Sequence, residues 1–306
     1  MEHILVVRSG RKLEIREYGD PGGHPAFFFH GLIGSYHQAS YIDEQAKERG
    51  LRIIAPNRPG VGRSEFTGRR TPLDAVPDVE DVADALKLGD FSVIGISGGT
   101  PYALATLSRL GGRVRTATVI SGMGPMRLPG ALRGMDRRRR VFLEVGSRYP
   151  HLARRAYRKT SDRFRADPER FLDRLIATWS APDRLLFRRR DIYDLFLRDL
   201  HQVFTEGNGP EGLSQELTVY RDYGLSLGGL PADRRVVLWQ GLSDTIVPPT
   251  MAWAMAQVIP NCEAHFVPGG HFMAVDVASQ IVARLRQLLD HPAGLPSILG
   301  PDPHDS

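Results

Sequence analysis

Residues 92–112 read SVIGISGGTPYALATLSRLGG. An apolar run, SVIGI, stops at a serine set between glycines, and a helical pattern begins with no room for a loop. The apolar strand before, Pro101 in the first turn and the apolar helix after predict a strand–turn–helix unit. Two readings fit the serine. Ser97 is a small residue in a tight turn, or a hydroxyl held up on a turn at strained positive φ. In the second case Gly95 and Gly99, two positions to either side, are glycines because side chains there would collide. Glycine–serine clusters occur in many loops, so the stretch alone does not separate the two.

Working outward, HILVVR and KLEIREYG read as an edge hairpin about a Ser9-Gly10 turn. AFFFHG (26–31) stops abruptly at His30-Gly31 as a buried strand would, and a helical stretch from Ala39 to Gly50 leads to the strand LRIIAPN. Val79, Val82, Ala83 and Leu86 stand at helical spacing in 74–88. FSVIGIS, the Thr100–Leu110 helix and TATVISG (116–122) follow. The alternation predicts a mostly parallel α/β sheet with helices on both faces. It breaks at 125. From there to 224 the patterns are helical. Asp167-Pro168 opens one helix, with Phe171, Leu172, Leu175, Ile176 and Trp179 on its apolar face. Asp183 reads as the N-cap of another, carrying Leu186, Phe187, Ile192, Leu195 and Phe196. Alternation resumes with RRVVLWQG (234–241), a helix at 249–258, CEAHFVPGG (262–270) and a helix from Val277 to Leu289. The expected layout is an α/β core of residues 1–124 and 225–290, an α-helical cap at 125–224, and a flexible Pro- and Gly-rich tail at 291–306.

The chain has 306 residues, 42% hydrophobic and 25% charged, a composition that buries a core and excludes bulk disorder. No apolar run reaches the roughly 18–20 residues that cross a bilayer. The amino-terminal segment lacks the long apolar core and cleavage site of a secretory signal, so a cytoplasmic location is expected. The single cysteine, Cys262, fits a reducing compartment and reads as a buried structural thiol. The net charge of +5 is uneven: residues 121–220 hold 20 Lys and Arg against 13 Asp and Glu, the rest 20 against 22. Only four of the 40 cations are lysines. Arg137–Arg140 and Arg188–Arg190 read as a solvated outer face. Steering of an anionic substrate, an acyl carrier or an acidic membrane surface is the minor reading. Zinc-finger spacing, RNA-binding signatures and basic–aromatic interleaving are absent, which argues against nucleic acid. No metal and no organic cofactor is implied.

A serine hydroxyl needs a base, and the base needs a partner to hold its tautomer. QGLSDTIVPP leaves Asp244 beyond the end of one strand, and PGGHFMAVD leaves His271 beyond the end of the next. Sites in parallel α/β sheets form at that edge, so the three would converge there. Taken singly, Asp244 could cap the helix that follows and His271 could be a solvated turn residue. Jointly, in the order Ser, Asp, His, they point to nucleophilic catalysis. Asp276 follows His271 too closely to pair with it. His30 competes as base, but its place against the loop after AFFFHG suits ordering of backbone. The N–H groups of Gly98 and Leu32 are the expected donors to an oxyanion, with His30, Gly31, Gly95 and Gly99 in support. NRPGVGRS lacks the third glycine of a dinucleotide fingerprint and reads as a supporting loop.

HGLIGS, NRPGVGRS, GISGG, GLSDTIVP and GGHF, in this order and spacing, resemble the α/β-hydrolase superfamily over residues 10–290, in its capped ester-hydrolase and haloperoxidase-like branch. The resemblance implies the α/β-hydrolase fold, Ser97 as nucleophile, Asp244 as acid, His271 as base, and Leu32 with Gly98 as oxyanion hole. The serine at 97 excludes relatives with an aspartate nucleophile. A small-molecule substrate with an apolar portion is expected, and a homo-oligomer stays open. The expected activity is hydrolysis of a carboxylic ester or related acyl compound through an acyl-enzyme. Carbon–carbon bond hydrolysis, a lyase reaction, or ligand binding without catalysis are the alternatives.

Overall fold

Alternate residues of AFFF serve opposite faces of a sheet: Phe27 and Phe29 pack with one core cluster, Ala26 and Phe28 with another. A computed structural model describes residues 2–68 and 71–291; the expected tail from 292 onward lies outside the described residues. Eight strands form one sheet: β1 (Glu2–Val6), β2 (Lys12–Gly19), β3 (His24–Phe29), β4 (Leu51–Pro56), β5 (Phe91–Ile96), β6 (Val114–Ile120), β7 (Arg235–Gly241) and β8 (Cys262–Val267). Their order is β1-β2-β4-β3-β5-β6-β7-β8. The β1–β2 hairpin joins antiparallel at one edge, and from β4 onward every pair is parallel.

Helices cover both faces. α1 (Asp43–Glu48) and the last helix lie with Phe28, Ile94 and Ile96, while α2 (Val76–Ala85) and α3 (Thr100–Arg109) lie with Phe27, Phe29 and Val93. The expected helix over 39–50 opens as a 3₁₀ turn, Tyr36–Ile42, because Ser35 caps His37 N–H and Asn57 takes Tyr36 N–H. Between β6 and β7 the described residues hold helices and no strand: α4 (Arg137–Arg148), α5 (Pro150–Ala166), α6 (Pro168–Ile176), α7 (Ala181–Leu186), α8 (Arg190–Thr205) and α9 (Gly209–Arg221). They share a separate apolar cluster of aromatics, in which Phe164, Phe171 and Phe204 meet edge to face or tilted. α10 (Pro249–Val258) and α11 (Ala274–Asp290) complete the chain, α11 with a kink at Val277.

One expectation fails inside the insertion. Asp167 does cap α6, accepting from Arg170 N–H, but Asp183 is no N-cap. Ser180 occupies the cap position of α7, and the expected single helix is broken between Leu186 and Arg190. The Asp183 carboxylate is turned instead toward the loop after β8. Cys262 is buried, and desolvation with the nearby Glu263 pushes its thiol up to about 12.

Candidate active site

β5 delivers Ser97 onto a turn where its φ is +50°, a left-handed value rare outside glycine. The neighbouring glycines are demanded by close approach. A Cβ on Gly95 would stand 2.9 Å from the Ala103 Cβ, and one on Gly99 2.0 Å from the Phe29 carbonyl oxygen. The turn thus presses the start of α3 against the end of β3 and lifts the serine to the carboxyl edge of the sheet. Asp244 follows β7 and His271 follows β8 at that same edge.

The three side chains form a hydrogen-bonded line. His271 Nε2 lies 3.0 Å from Ser97 Oγ, and His271 Nδ1 lies 2.7 Å from Asp244 Oδ2. Asp244 is 4% exposed and fully engaged: Gln240 Nε2 donates to Oδ2, while Ile246 and Val247 N–H donate to Oδ1. These N–H groups belong to the loop before α10, whose N-cap is Pro248, so Asp244 does not cap that helix. The His271 backbone is held as well. Ser121 Oγ donates to its carbonyl, and Asp183 accepts from the N–H of His271 and of Phe272, each at 3.0 Å.

Two backbone N–H groups near the serine point away from carbonyls that are anchored behind them. C=O and N–H of one trans peptide point opposite ways. Arg58 Nη2 holds the Gly31 carbonyl at 2.6 Å, which turns Leu32 N–H the other way. The Ser97 carbonyl is held by Met123 N–H at 3.0 Å and by Thr100 Oγ1 at 2.8 Å, which turns Gly98 N–H outward. Neither Leu32 nor Gly98 N–H has an acceptor among the described residues. Leu32 and Gly98 both line the cavity above Ser97, as does Gly31. Gly98 has no space for a side chain, since its Cβ would meet Tyr220 Oη at 2.1 Å.

His30 is fully buried and spends both ring nitrogens on backbone: Nε2 accepts from Arg58 N–H at 3.1 Å, which leaves Nδ1–H to donate to the Gly31 carbonyl at 2.9 Å. Burial, then the Arg58 charge, hold its pKa well below the ordinary range, so the ring is neutral. This is the geometry of a residue that orders the loop and not of a base.

Several residues of the site carry no sequence signal of their own. Arg58, from the NRPGVGRS loop, donates to the carbonyls of Gly31 and Gly98 and pairs with Glu216 of α9 at 3.3 Å. Glu216 also accepts from Tyr102 Oη at 2.7 Å. Gln38 Oε1 accepts from Gly31 N–H at 2.7 Å. Asp199 of α8, wholly buried, accepts from Ser35 N–H and Oγ, and burial raises its carboxyl to about 7. The insertion is therefore tied to the site through three carboxylates, Asp183, Asp199 and Glu216, each on a different helix.

The cavity over Ser97 measures about 240 Å³ and is walled mainly by apolar groups, among them Leu143, Trp179, Phe196, Val247 and Phe272. Of the insertion's aromatics singled out by periodicity, Trp179 and Phe196 reach it, whereas Phe171 and Phe187 do not line it. Phe171 packs on Phe164, and Phe187 packs edge to face on Phe196 and Phe272. Arg137, Arg138, Arg140 and Arg188–Arg190 are exposed as expected; Arg139 is half-buried and lines the cavity. Among the described residues no three His, Cys, Asp or Glu side chains are grouped to hold a metal ion, and no helix is long and apolar enough to cross a membrane.

The family model described as alpha/beta hydrolase fold matches residues 27–276. The chain belongs to the alpha/beta hydrolase family. Solved structures similar to it include an esterase from Exiguobacterium antarcticum, 19% identical, with a TM-score of 0.66 over 95% of this chain and 100% of that one. A bromoperoxidase from Bacillus anthracis is 17% identical, with a TM-score of 0.69 over 95% and 100%. An enol-lactonase from Burkholderia xenovorans LB400 is 14% identical, with a TM-score of 0.69 over 94% and 100%. At these identities the likeness speaks for the fold. Within it, the alpha/beta hydrolase keeps a mostly parallel eight-stranded sheet and takes its helical insertion after β6.

Proposed function

We propose that the protein is a serine hydrolase of carboxylic esters or related acyl compounds, acting through an acyl-enzyme on Ser97. The observation that carries this is the line Ser97–His271–Asp244 beside two N–H groups without acceptors, at the floor of an apolar cavity. Ser97 Oγ attacks the acyl carbon as His271 Nε2 takes its proton, and Asp244 stabilises the imidazolium and fixes its tautomer. Leu32 and Gly98 N–H receive the oxyanion, already aimed by the anchored carbonyls behind them. The tetrahedral adduct collapses, His271 returns the proton to the leaving oxygen, and water repeats the sequence on the acyl-enzyme. The family and the esterase and enol-lactonase neighbours support a hydrolase.

Residues 125–224 act as a cap in this reading, with Trp179, Phe196 and Leu143 roofing the acyl chain. Turnover of a p-nitrophenyl ester by the parent and its loss in Asp244→Asn test the proposal. A protein that binds such an ester reversibly, with no release of p-nitrophenol above background, would be a ligand-binding module instead.

A further inference from the structure

The cavity above Ser97 contains one cationic side chain besides the Ser97–His271–Asp244 set. Arg139 stands three and four positions before Phe142 and Leu143 on α4, so the three share a face, and all three line the cavity. Its Nη1 donates to the Thr245 carbonyl at 2.5 Å, beside Asp244. The Nε–Nη2 edge makes no hydrogen bond, and no carboxylate is within ion-pair distance, among the described residues. Its neighbour Arg140 behaves as an ordinary surface cation, exposed and paired with Glu144 at 2.9 Å. Desolvation of the Arg139 guanidinium lowers its pKa, against which Asp244 and Asp136 act, and an arginine stays charged throughout. A tethered, half-buried cation that lines an apolar chamber and keeps two N–H donors unengaged is matched by a carboxylate, which takes both N–H bonds at once.

We propose that Arg139 is a specificity-determining residue that binds a carboxylate on the substrate, so that the preferred substrates are monoesters of dicarboxylic acids with an apolar spacer. This rests on the ester-hydrolase reading above. The spacer lies along the apolar wall, the ester carbonyl sits at Ser97, and the free carboxylate meets the guanidinium edge. The Thr245 carbonyl anchors the guanidinium through Nη1.

The test compares mono-p-nitrophenyl adipate with p-nitrophenyl hexanoate, which match in chain length, at a fixed salt of about 0.1 M. In the parent, kcat/KM should favour the adipate ester. In Arg139→Gln the ratio of the two kcat/KM values should fall by about tenfold or more. The exposed control Arg138→Gln should keep the parent ratio. A ratio unchanged in Arg139→Gln overturns the proposal, including the case where both rates fall together, which marks a mere clasp on Thr245. Should neither ester turn over, the hydrolase reading fails separately, and calorimetric titration with adipate decides this one. Binding present in the parent and lost in Arg139→Gln supports the site; equal binding, or none in either protein, overturns it.

Discussion

Replacing Arg58 by methionine separates what holds the fold from what aims the proposed oxyanion donors. Arg58 is 5% exposed and its partner Glu216 is 7% exposed, so the change strands a buried carboxylate whose remaining donors are the Tyr102 and Tyr220 hydroxyls. Breaking one side of a buried pair costs about 3–5 kcal/mol. The same change takes one donor from each of the Gly31 and Gly98 carbonyls, leaving His30 Nδ1–H on the first, and loosens the aim of Leu32 N–H. Loss of one oxyanion donor costs about 10²–10³ in kcat. The second substitution, Glu216→Gln, removes the stranded charge and keeps an acceptor for Tyr102. Arg58→Met/Glu216→Gln should therefore unfold within about 2 kcal/mol of the parent, since exchanging both members of a buried pair is often close to neutral. Its kcat on a p-nitrophenyl ester should stay about 100-fold down. Urea denaturation and active-site-titrated kinetics on the parent, single and double variants measure both. Recovery of kcat together with stability would refute the argument and leave Arg58 a purely structural residue.

Asp244→Asn should fold normally and lose about 10⁴ in kcat on a p-nitrophenyl ester, because the imidazole is left with the wrong tautomer; steady-state kinetics and circular dichroism check the two halves. Asp199 should make stability fall as pH rises. Its carboxyl is raised to about 7 by burial, so the neutral form is the folded one; the stabilisation is whole below about 4 and lost through about 7, roughly 4 kcal/mol in all. The difference in unfolding free energy between the parent and Asp199→Asn, followed from pH 4 to 8, should show that slope, and a constant difference would contradict it. Cys262, buried with its thiol pushed up to about 12, should resist a thiol reagent in the native protein and react at once in denaturant. If the exposed arginines of α4 only face solvent, kcat/KM for a neutral ester and for the hexanoate-length anionic ester should respond alike to salt in Arg139→Gln; selective loss for the anionic ester would assign them a steering role.

The parts of the site legible in the sequence are those in which a few contiguous residues carry both the backbone geometry and the chemistry. GISGG announces a strained turn because only glycine survives beside Phe29 O and Ala103, and GLSDTIVP and GGHF each close a strand of recognisable apolar pattern. Residues that act through partners distant in sequence leave no such trace. Arg58 and Glu216, or Ser35 and Asp199, meet only after the insertion has folded back on the core. Asp183 misleads for a related reason: its spacing before Leu186 fits an N-cap, but Ser180 takes that place, and the carboxylate answers the backbone after β8 instead. Arg139 is hidden in a run of four arginines. The helical phase of Phe142 and Leu143 is the local signal that separates it from Arg137, Arg138 and Arg140.

Whether Ser97 is the nucleophile is read out by treating the intact protein with a fluorophosphonate and mapping the adduct by peptide mass spectrometry. One stoichiometric adduct on Ser97 is expected and none in Ser97→Ala, with the variant's far-ultraviolet dichroism and melting curve like the parent's. Labelling of Ser97→Ala at the parent rate, or an adduct on another residue, would contradict it.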